Sequence, residues 1–377
     1  MKKVYYIGWY ISNENKSIFS GNVPGNLKMH YVVEQLIDSG CIPEIISLAS
    51  KKNAKGLYSN IKTISQGCPL TYLGGCSGSS RLARKIDLII KKLIFAYFFI
   101  FQIGKDDTVV LYHSVAITNM VAKLKRLVQR KVILEVEEIY GYSALADRPW
   151  VNKEIESIKL MDYHICVNDG IPKNLHLEKD KFVVSFGVGH IPKRTVNRFD
   201  DGKIHVVYAG TIEMKKLGAL SAVEAARFFP KDYILHILGF GSDENMMKLK
   251  NRVAEINAEA GFERIQYNGY KSGKDLDDFL FSCHIGLSSN VMRPNFANNS
   301  FPSKVITYMC HDLAVVLGYA KAFYDVPMSK GWQFYHDHSP KAIAEAVSKA
   351  EIKPIGFYHQ SIDRMNCQLQ LFLKKYC

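Results

Sequence analysis

Short apolar runs alternate with segments of helix length from one end of the chain to the other. In the first half the strand-like runs are Val4–Tyr10, Pro43–Leu48, Thr108–His113, Lys131–Glu137, Tyr163–Asn168 and Lys181–Phe186. In the second half they are Ile204–Ala209, Tyr233–Leu238, Arg264–Tyr267, His284–Ser288 and Leu313–Leu317. Several are apolar at nearly every position, as parallel strands covered by helices on both faces must be. Spacings near thirty residues in the second half match the size of a βαβ unit. The pattern predicts an α/β protein of two doubly wound, Rossmann-like domains facing each other across a cleft.

Between the halves, Gly187–Gly202 is polar and turn-rich, with Gly187, Gly189, Pro192, the basic pair Lys193 and Arg194, and Asp200-Asp201-Gly202. Hydrophobic periodicity resumes just after it, so the expected organisation is a domain over 1–190, a second over 200–360, and a C-terminal helix over 361–377. Leu369, Phe372 and Leu373 give that helix an apolar stripe, which would pack back on the first domain; a homo-oligomer contact would use the same stripe.

Composition narrows the partners. The 377 residues are 47% hydrophobic and 23% charged, ordinary for a globular chain and unlike a collagenous or disordered one. The 49 basic residues exceed the 36 acidic ones by 13, which favours an anionic partner. The N-terminus reads as a strand without a secretory cleavage site, and the longest apolar run, Leu93–Phe101, is far too short to span a bilayer. A cytoplasmic protein is expected, and its cysteines, without CxxC or Cys/His spacing, suggest small buried thiols and no metal.

The candidate chemistry lies where strands end. Ile204–Ala209 runs into Gly210 and Thr211, then into a loop carrying Lys215 and Lys216 before a helix. Glycine admits a ligand close to the backbone, and lysines beside a helix start suit phosphate. Tyr233–Leu238 is followed by Gly239-Phe240-Gly241-Ser242, which lacks the third glycine and downstream acid of a dinucleotide fingerprint. Asn268-Gly-Tyr-Lys271 follows the next strand, with Tyr270 and Lys271 as further donor-binding candidates. In Asn298-Asn-Ser-Phe-Pro-Ser-Lys304, a polar loop through Asn298, Asn299 and Ser300 delivers Ser303 and Lys304 to a helix start. A hydroxyl, an ammonium and free N–H groups converge there on a diphosphate-sized site.

In the first half, Gly21-Asn22-Val-Pro-Gly25 forms a loop after the first strand and before a helix near Lys28–Ser39, on the acceptor side. Tyr112-His113 ends a strand, and His113 could act as a base or serve only as a satisfied core histidine. Strand alternation puts Glu135 and Glu137 on one face and Glu138 on the other; Glu137 or Glu138 is the favoured catalytic carboxylate.

The second half resembles the donor-binding domain of GT-B glycosyltransferases, most nearly glycosyltransferase family 4, which builds capsule, O-antigen and other surface glycans. The matching residues are Val206–Thr211, Leu238-Gly-Phe-Gly241, Asn268-Gly-Tyr270, and above all Phe301-Pro-Ser-Lys-Val-Ile-Thr-Tyr-Met309 before Leu313-Ala-Val-Val316. Leu134–Tyr140 extends the likeness loosely into the first half. The resemblance implies a hexosyltransferase using a UDP-sugar, without a cofactor or metal, retaining anomeric configuration, with a glycan or lipid-linked acceptor. It implies that Lys215 or Lys216 and Lys304 contact the diphosphate, and that the backbone of Asn268–Lys271 holds the base. Asn299 and Thr307 stand where the family often carries two glutamates, so the sugar and ribose contacts differ here. A sugar-nucleotide epimerase or hydrolase, and a catalytically silent subunit binding glycan or protein, are the rival readings.

Two basic clusters, Arg81–Lys92 and Lys123–Lys131, fall in the first half. In the former, Leu82, Ile86, Ile89, Leu93 and Ala96 or Tyr97 share a helical stripe, with Arg81, Arg84, Lys85, Lys91 and Lys92 largely elsewhere. Either this is a core helix with solvated lysines, or its basic rim and aromatics meet an anionic membrane. No RNA-recognition or helix-turn-helix pattern accompanies the charge, so nucleic acid is not expected.

Overall fold

A computed structural model describes residues 3–21, 23–52, 56–78, 80–142, 151–213, 217–289 and 297–377. The chain divides into two compact units. The first holds Met1–Val188 with Asn298–Ser300 and Met365–Cys377; the second holds Gly189–Ala297 and Phe301–Arg364.

The first unit is built on β1 (Val4–Gly8), α1 (Val23–Asp38), β2 (Glu44–Ser47), β3 (Ile61–Ser65), β4 (Cys68–Tyr72), α2 (Arg81–Phe101), β5 (Thr108–Tyr112), α3 (Val115–Leu124), β6 (Lys131–Val136), α4 (Glu154–Lys159), β7 (Tyr163–Cys166), α5 (Gly170–Leu175) and β8 (Phe182–Val184). Its sheet runs β8-β7-β6-β5-β1-β2-β4-β3, parallel except at the β3 edge. The chain goes to β2 on one side of β1 and later to β5 on the other, so the topological switch lies between β1 and β5. The β3–β4 hairpin has a two-residue turn in which Gln66 and Gly67 both take positive φ (52° and 75°), the mirror-image turn that suits strand twist.

The second unit holds β9 (Ile204–Ala209), α6 (Gly218–Ala226), β10 (Tyr233–Leu238), α7 (Asp243–Ala260), β11 (Ile265–Tyr267), α8 (Lys274–Ser282), β12 (Ile285–Ser288), α9 (Ser303–Cys310), β13 (Ala314–Gly318), β14 (Gln333–Tyr335) and α10 (Pro340–Lys349). The all-parallel order β11-β10-β9-β12-β13-β14 places the switch between β9 and β12. Its core interdigitates Val206, Leu235, Ile285 and Val316 from the strands with Ala222, Val223 and Val347 from the helices. The last helix, α11 (His359–Tyr376), lays Leu369, Phe372 and Leu373 into the apolar core of the first unit. Its Asn366 accepts from the Tyr31 hydroxyl at 2.8 Å.

Helix α2 is turned the opposite way from a core amphipathic helix. Its buried positions are Asp87, Lys91, Phe95 and Phe99, at i+4 intervals. The apolar stripe recognisable in the sequence faces outward: Leu82, Ile86, Ile89, Leu93, Tyr97 and Phe101 are all exposed. Lys91 is 1% exposed, and its ammonium donates to Asp87 at 2.9 Å, to the Ala49 carbonyl at 2.9 Å and to Ser50 Oγ at 3.1 Å. Burial pulls the Lys91 ammonium below its ordinary range, and the Asp87 carboxylate opposes that pull. In the other basic cluster, Lys125 pairs with Asp162, and Arg130 donates to the Ile100 carbonyl at 3.1 Å. Those two cations are therefore engaged within the unit.

Three histidines sit together in the second unit. His236 lies between Asn268, whose Oδ1 is 3.0 Å from Nδ1, and His205, whose Nδ1 is 2.7 Å from Nε2. With Asn268 accepting from Nδ1–H, His236 is neutral and accepts the hydrogen bond from His205 Nδ1–H on Nε2. Burial pushes His236 and His284 down to about 4. The folded state therefore binds fewer protons than the unfolded chain between the ordinary histidine range and pH 4. Stability is full above about pH 6.5 and falls as pH drops, by on the order of 3 kcal/mol from His236 alone. Melting temperatures measured from pH 7.5 down to 4.5 should decline over this window; a flat profile would contradict the buried neutral state.

Candidate functional site

The second unit offers a cation at its switch point. Tyr308 on α9 is fully buried; its hydroxyl donates to the Leu287 carbonyl at 3.2 Å and accepts from the Ala209 amide at 3.1 Å. It thereby ties α9 to both strands that flank the switch. Lys304 precedes it by four residues and shares its helix face. The Lys304 ammonium accordingly lies 4.0 Å from the Tyr208 ring centroid, over the C-terminal end of β9.

Glycines make this end accessible. A Cβ on Gly210 would stand 2.5 Å from Lys304 Cε and 2.8 Å from its Nζ. At Gly239, where φ is +149°, a Cβ would come within 1.8 Å of the Gly210 carbonyl oxygen, so the ends of β9 and β10 can meet only without side chains. A Cβ on Gly241 would come within 2.3 Å of the Ile212 carbonyl oxygen. Thr211 follows Gly210 and is exposed, as is Ser303 in the first turn of α9. Thr307 turns its hydroxyl back to the Ser303 carbonyl at 3.3 Å. Phe240 and Tyr270, both about half exposed, meet edge to face at 5.2 Å beyond β10 and β11, and the Lys271 ammonium lies over Phe279. Lys215 and Lys216 lie outside the described residues.

Residues 298–300 cluster with the first unit. Asn168 donates to the Ser300 carbonyl at 2.9 Å, and Asn174 donates to Asn299 Oδ1 at 2.9 Å. Gly170 abuts the Asn298 carbonyl so closely that a Cβ would sit 2.0 Å away. Asn299 is thus a buried side chain (4% exposed) held by α5.

In the first unit, the strand ends gather carboxylates around one lysine. Glu135, in β6, is fully buried; its Oε2 accepts from the Tyr6 hydroxyl at 2.8 Å, while Oε1 has no hydrogen-bond partner among the described residues. Glu137, one alternation on, keeps a quarter of its side chain exposed and lies 3.6 Å from Lys28 Nζ. Lys28 is buried in α1 and donates to the Ser185 carbonyl at 3.0 Å, Ser185 Oγ at 3.2 Å and the Gly187 carbonyl at 3.2 Å. The Glu135 carboxyl is pushed well up, first by burial and then by the Glu137 charge. Glu137 is also raised by burial, which the Lys28 ammonium opposes. The pair therefore divides its labour: Glu137 ionises beside its cation and Glu135 keeps a proton. Of this pair, Glu137 is the one that is partly open to solvent. Glu138 is half-buried beside it.

His113 serves a different end. It is buried, with Nδ1 2.9 Å from Thr118 Oγ1 and Nε2 2.9 Å from Glu154 Oε1. Glu154 also accepts from the Tyr140 amide at 3.0 Å and the Gly141 amide at 2.6 Å. With both ring nitrogens engaged, His113 has no lone pair for a substrate; it fixes the segment that follows the glutamates. The glycine loop expected on the acceptor side begins its helix earlier than the sequence suggests. Helix α1 starts at Val23, so Gly25 lies in its first turn and is buried; Gly21 is exposed, and Asn22 lies outside the described residues. Asn26 clamps Ile11 through both its amide atoms, at 2.8 and 2.9 Å.

Lys28 and Glu154 carry no motif, and their partners lie 109 and 41 residues away respectively. Their only sequence signal is a charge on an otherwise apolar helix face.

No protein-family model matches the chain, and no curated protein is similar to it in sequence. Solved structures do resemble it. An alpha,alpha-trehalose 6-phosphate synthase from Burkholderia multivorans aligns over 100% of this chain and 97% of its own, with 9% identity and a TM-score of 0.68. A trehalose-6-phosphate structure from E. coli bound with UDP-2-fluoro glucose aligns over 99% and 96%, with 9% identity and a TM-score of 0.65. The lipopolysaccharide outer core galactosyltransferase WaaB aligns over 99% and 97%, with 14% identity and a TM-score of 0.59. The likeness shows the fold: two Rossmann-like units of the GT-B type.

Proposed function

We propose that the protein is a glycosyltransferase that moves a hexose from a UDP-sugar to a hydroxyl of a glycan or lipid-linked glycan in surface polysaccharide synthesis. The observation that carries this reading is the Lys304 ammonium held over Gly210 at the switch point of a Rossmann-like sheet, where such sheets take nucleotides. The solved structures with this fold support it, since one holds a UDP-sugar analogue and another is a galactosyltransferase.

In the proposed reaction, the acceptor oxygen bonds to the anomeric carbon as the bond from that carbon to the diphosphate breaks. The negative charge that accumulates on the departing diphosphate is stabilised by Lys304 and by the positive end of the α9 dipole. Phe240 and Tyr270 offer aromatic surface to the base. The role of proton acceptor falls to Glu137 of the first unit, whose affinity for protons is raised by burial. Retention of configuration is the stereochemistry the sequence resemblance implies.

Calorimetry with a panel of nucleoside diphosphates tests the donor. UDP is expected to bind, and the purified protein should hydrolyse one UDP-sugar slowly without acceptor, which would identify the hexose. No binding of any nucleotide would end the enzyme reading and favour a subunit that binds glycan or protein. The anomeric coupling of the product, read by NMR, decides between retention and inversion.

A further inference from the structure

We propose that the outward face of α2 seats the protein on an anionic lipid bilayer, lying along the surface rather than through it. Leu82, Ile86, Ile89, Leu93, Tyr97 and Phe101 recur at three- and four-residue intervals and form one stripe along a 21-residue helix. Leu82, Leu93 and Phe101 are each about two-thirds exposed. Such a helix is roughly 30 Å long, and an unbroken apolar strip of that length is unusual on a free protein surface. The stripe ends in two aromatics, Tyr97 and Phe101, whose ring centroids are 5.2 Å apart, the kind of rings that settle at the headgroup boundary.

The charges beside it have one sign. At 100° per residue, Arg81, Lys85 and Lys92 fall along one margin of the stripe; Arg81, Arg84 and Lys85 are exposed and Lys92 is half-buried. The one acidic residue in Arg81–Phe101 is Asp87, which is buried against Lys91. An apolar strip with a purely cationic margin complements a bilayer carrying anionic headgroups. It suits a second copy of the chain poorly, because a two-fold contact would bring the same cations towards one another. Among the described residues no helix is long and apolar enough to cross a membrane, which agrees with a helix lying in the interface plane.

This surface is independent of the nucleotide site, so the two can fail separately. Sedimentation of the full chain with vesicles of phosphatidylcholine, alone or with phosphatidylglycerol, is the test. Binding is expected to the mixed vesicles, with affinity dropping as salt is raised. Replacing Arg81, Lys85 and Lys92 together by Gln should weaken it about 100-fold, at roughly fivefold per cation. Leu93→Glu with Tyr97→Glu should abolish it. Leu93 and Tyr97 are exposed, so that double variant should keep its melting temperature, and both variants should keep their UDP affinity. Vesicle binding that survives both variants would overturn the proposal. So would a wild-type dimer that becomes monomeric in the Leu93→Glu/Tyr97→Glu variant while vesicle binding persists, which would give the face to a second copy.

Discussion

Glu137→Gln should lower kcat about 10²- to 10⁴-fold while leaving UDP affinity within twofold, because it removes a proton acceptor and little else. The side chain keeps its volume and its partial exposure, and Lys304, the proposed diphosphate contact, belongs to the other unit. The pH profile carries the sign. Burial raises the Glu137 pKa, so the protonated, inactive form persists to higher pH than in an ordinary glutamate, and kcat should fall as pH drops through that raised value. Lys28 favours the charged form, so Lys28→Met should move this acid limb to still higher pH. Glu135→Gln, which mimics the protonated carboxyl already present there, should retain most of the activity. Glu135→Ala should instead cost stability, since it strands the buried Tyr6 hydroxyl. Equal losses from the two amide variants would remove the division of roles between the glutamates.

Lys304→Ala should weaken UDP binding about ten- to hundredfold, the scale of one charge-assisted hydrogen bond, and should depress kcat further because the diphosphate gains charge as it leaves. Uridine without phosphates should bind the variant and the wild type alike. Gly210→Ala reaches the same end by a different route: its methyl would stand 2.5 Å from Lys304 Cε and force the ammonium aside. If Lys304→Ala leaves UDP affinity unchanged, Lys304 is not a diphosphate ligand. Calorimetry on these three proteins decides it.

The sheet strands were legible because their chemistry is local. Ile204–Ala209 and Tyr233–Leu238 are continuous apolar runs, and the structure gives them the same bounds. The hairpin of β3 and β4 was not, because Ile61–Ser65 is an edge strand with exposed alternate positions and reads as ordinary surface. The switch-point glycines were visible from their spacing, but why they must be glycine depends on backbone contacts between strands about thirty residues apart. Asn299 sits beside Lys304 in the sequence, yet its side chain is bonded to Asn174. The carboxylate site was half legible: alternation placed Glu135 and Glu137 on one face, whereas the lysine that separates their protonation comes from α1. Helix α2 shows the limit most directly. Its two faces both carry apolar residues, and periodicity alone does not say which one is inside.

The Asp87–Lys91 pair settles that choice, and it does so as a key rather than as an adhesive. A buried ion pair often contributes little net stability over apolar residues of the same size. Two leucines in its place would leave apolar residues on both broad faces of the helix, and either could then seat inward. The pair permits one rotation only, the one in which Lys91 finds Ala49 and Ser50. That rotation is also the one that sends Leu93 and Tyr97 outward. A charge hidden in the interior thus dictates which side of the helix is displayed to the surroundings.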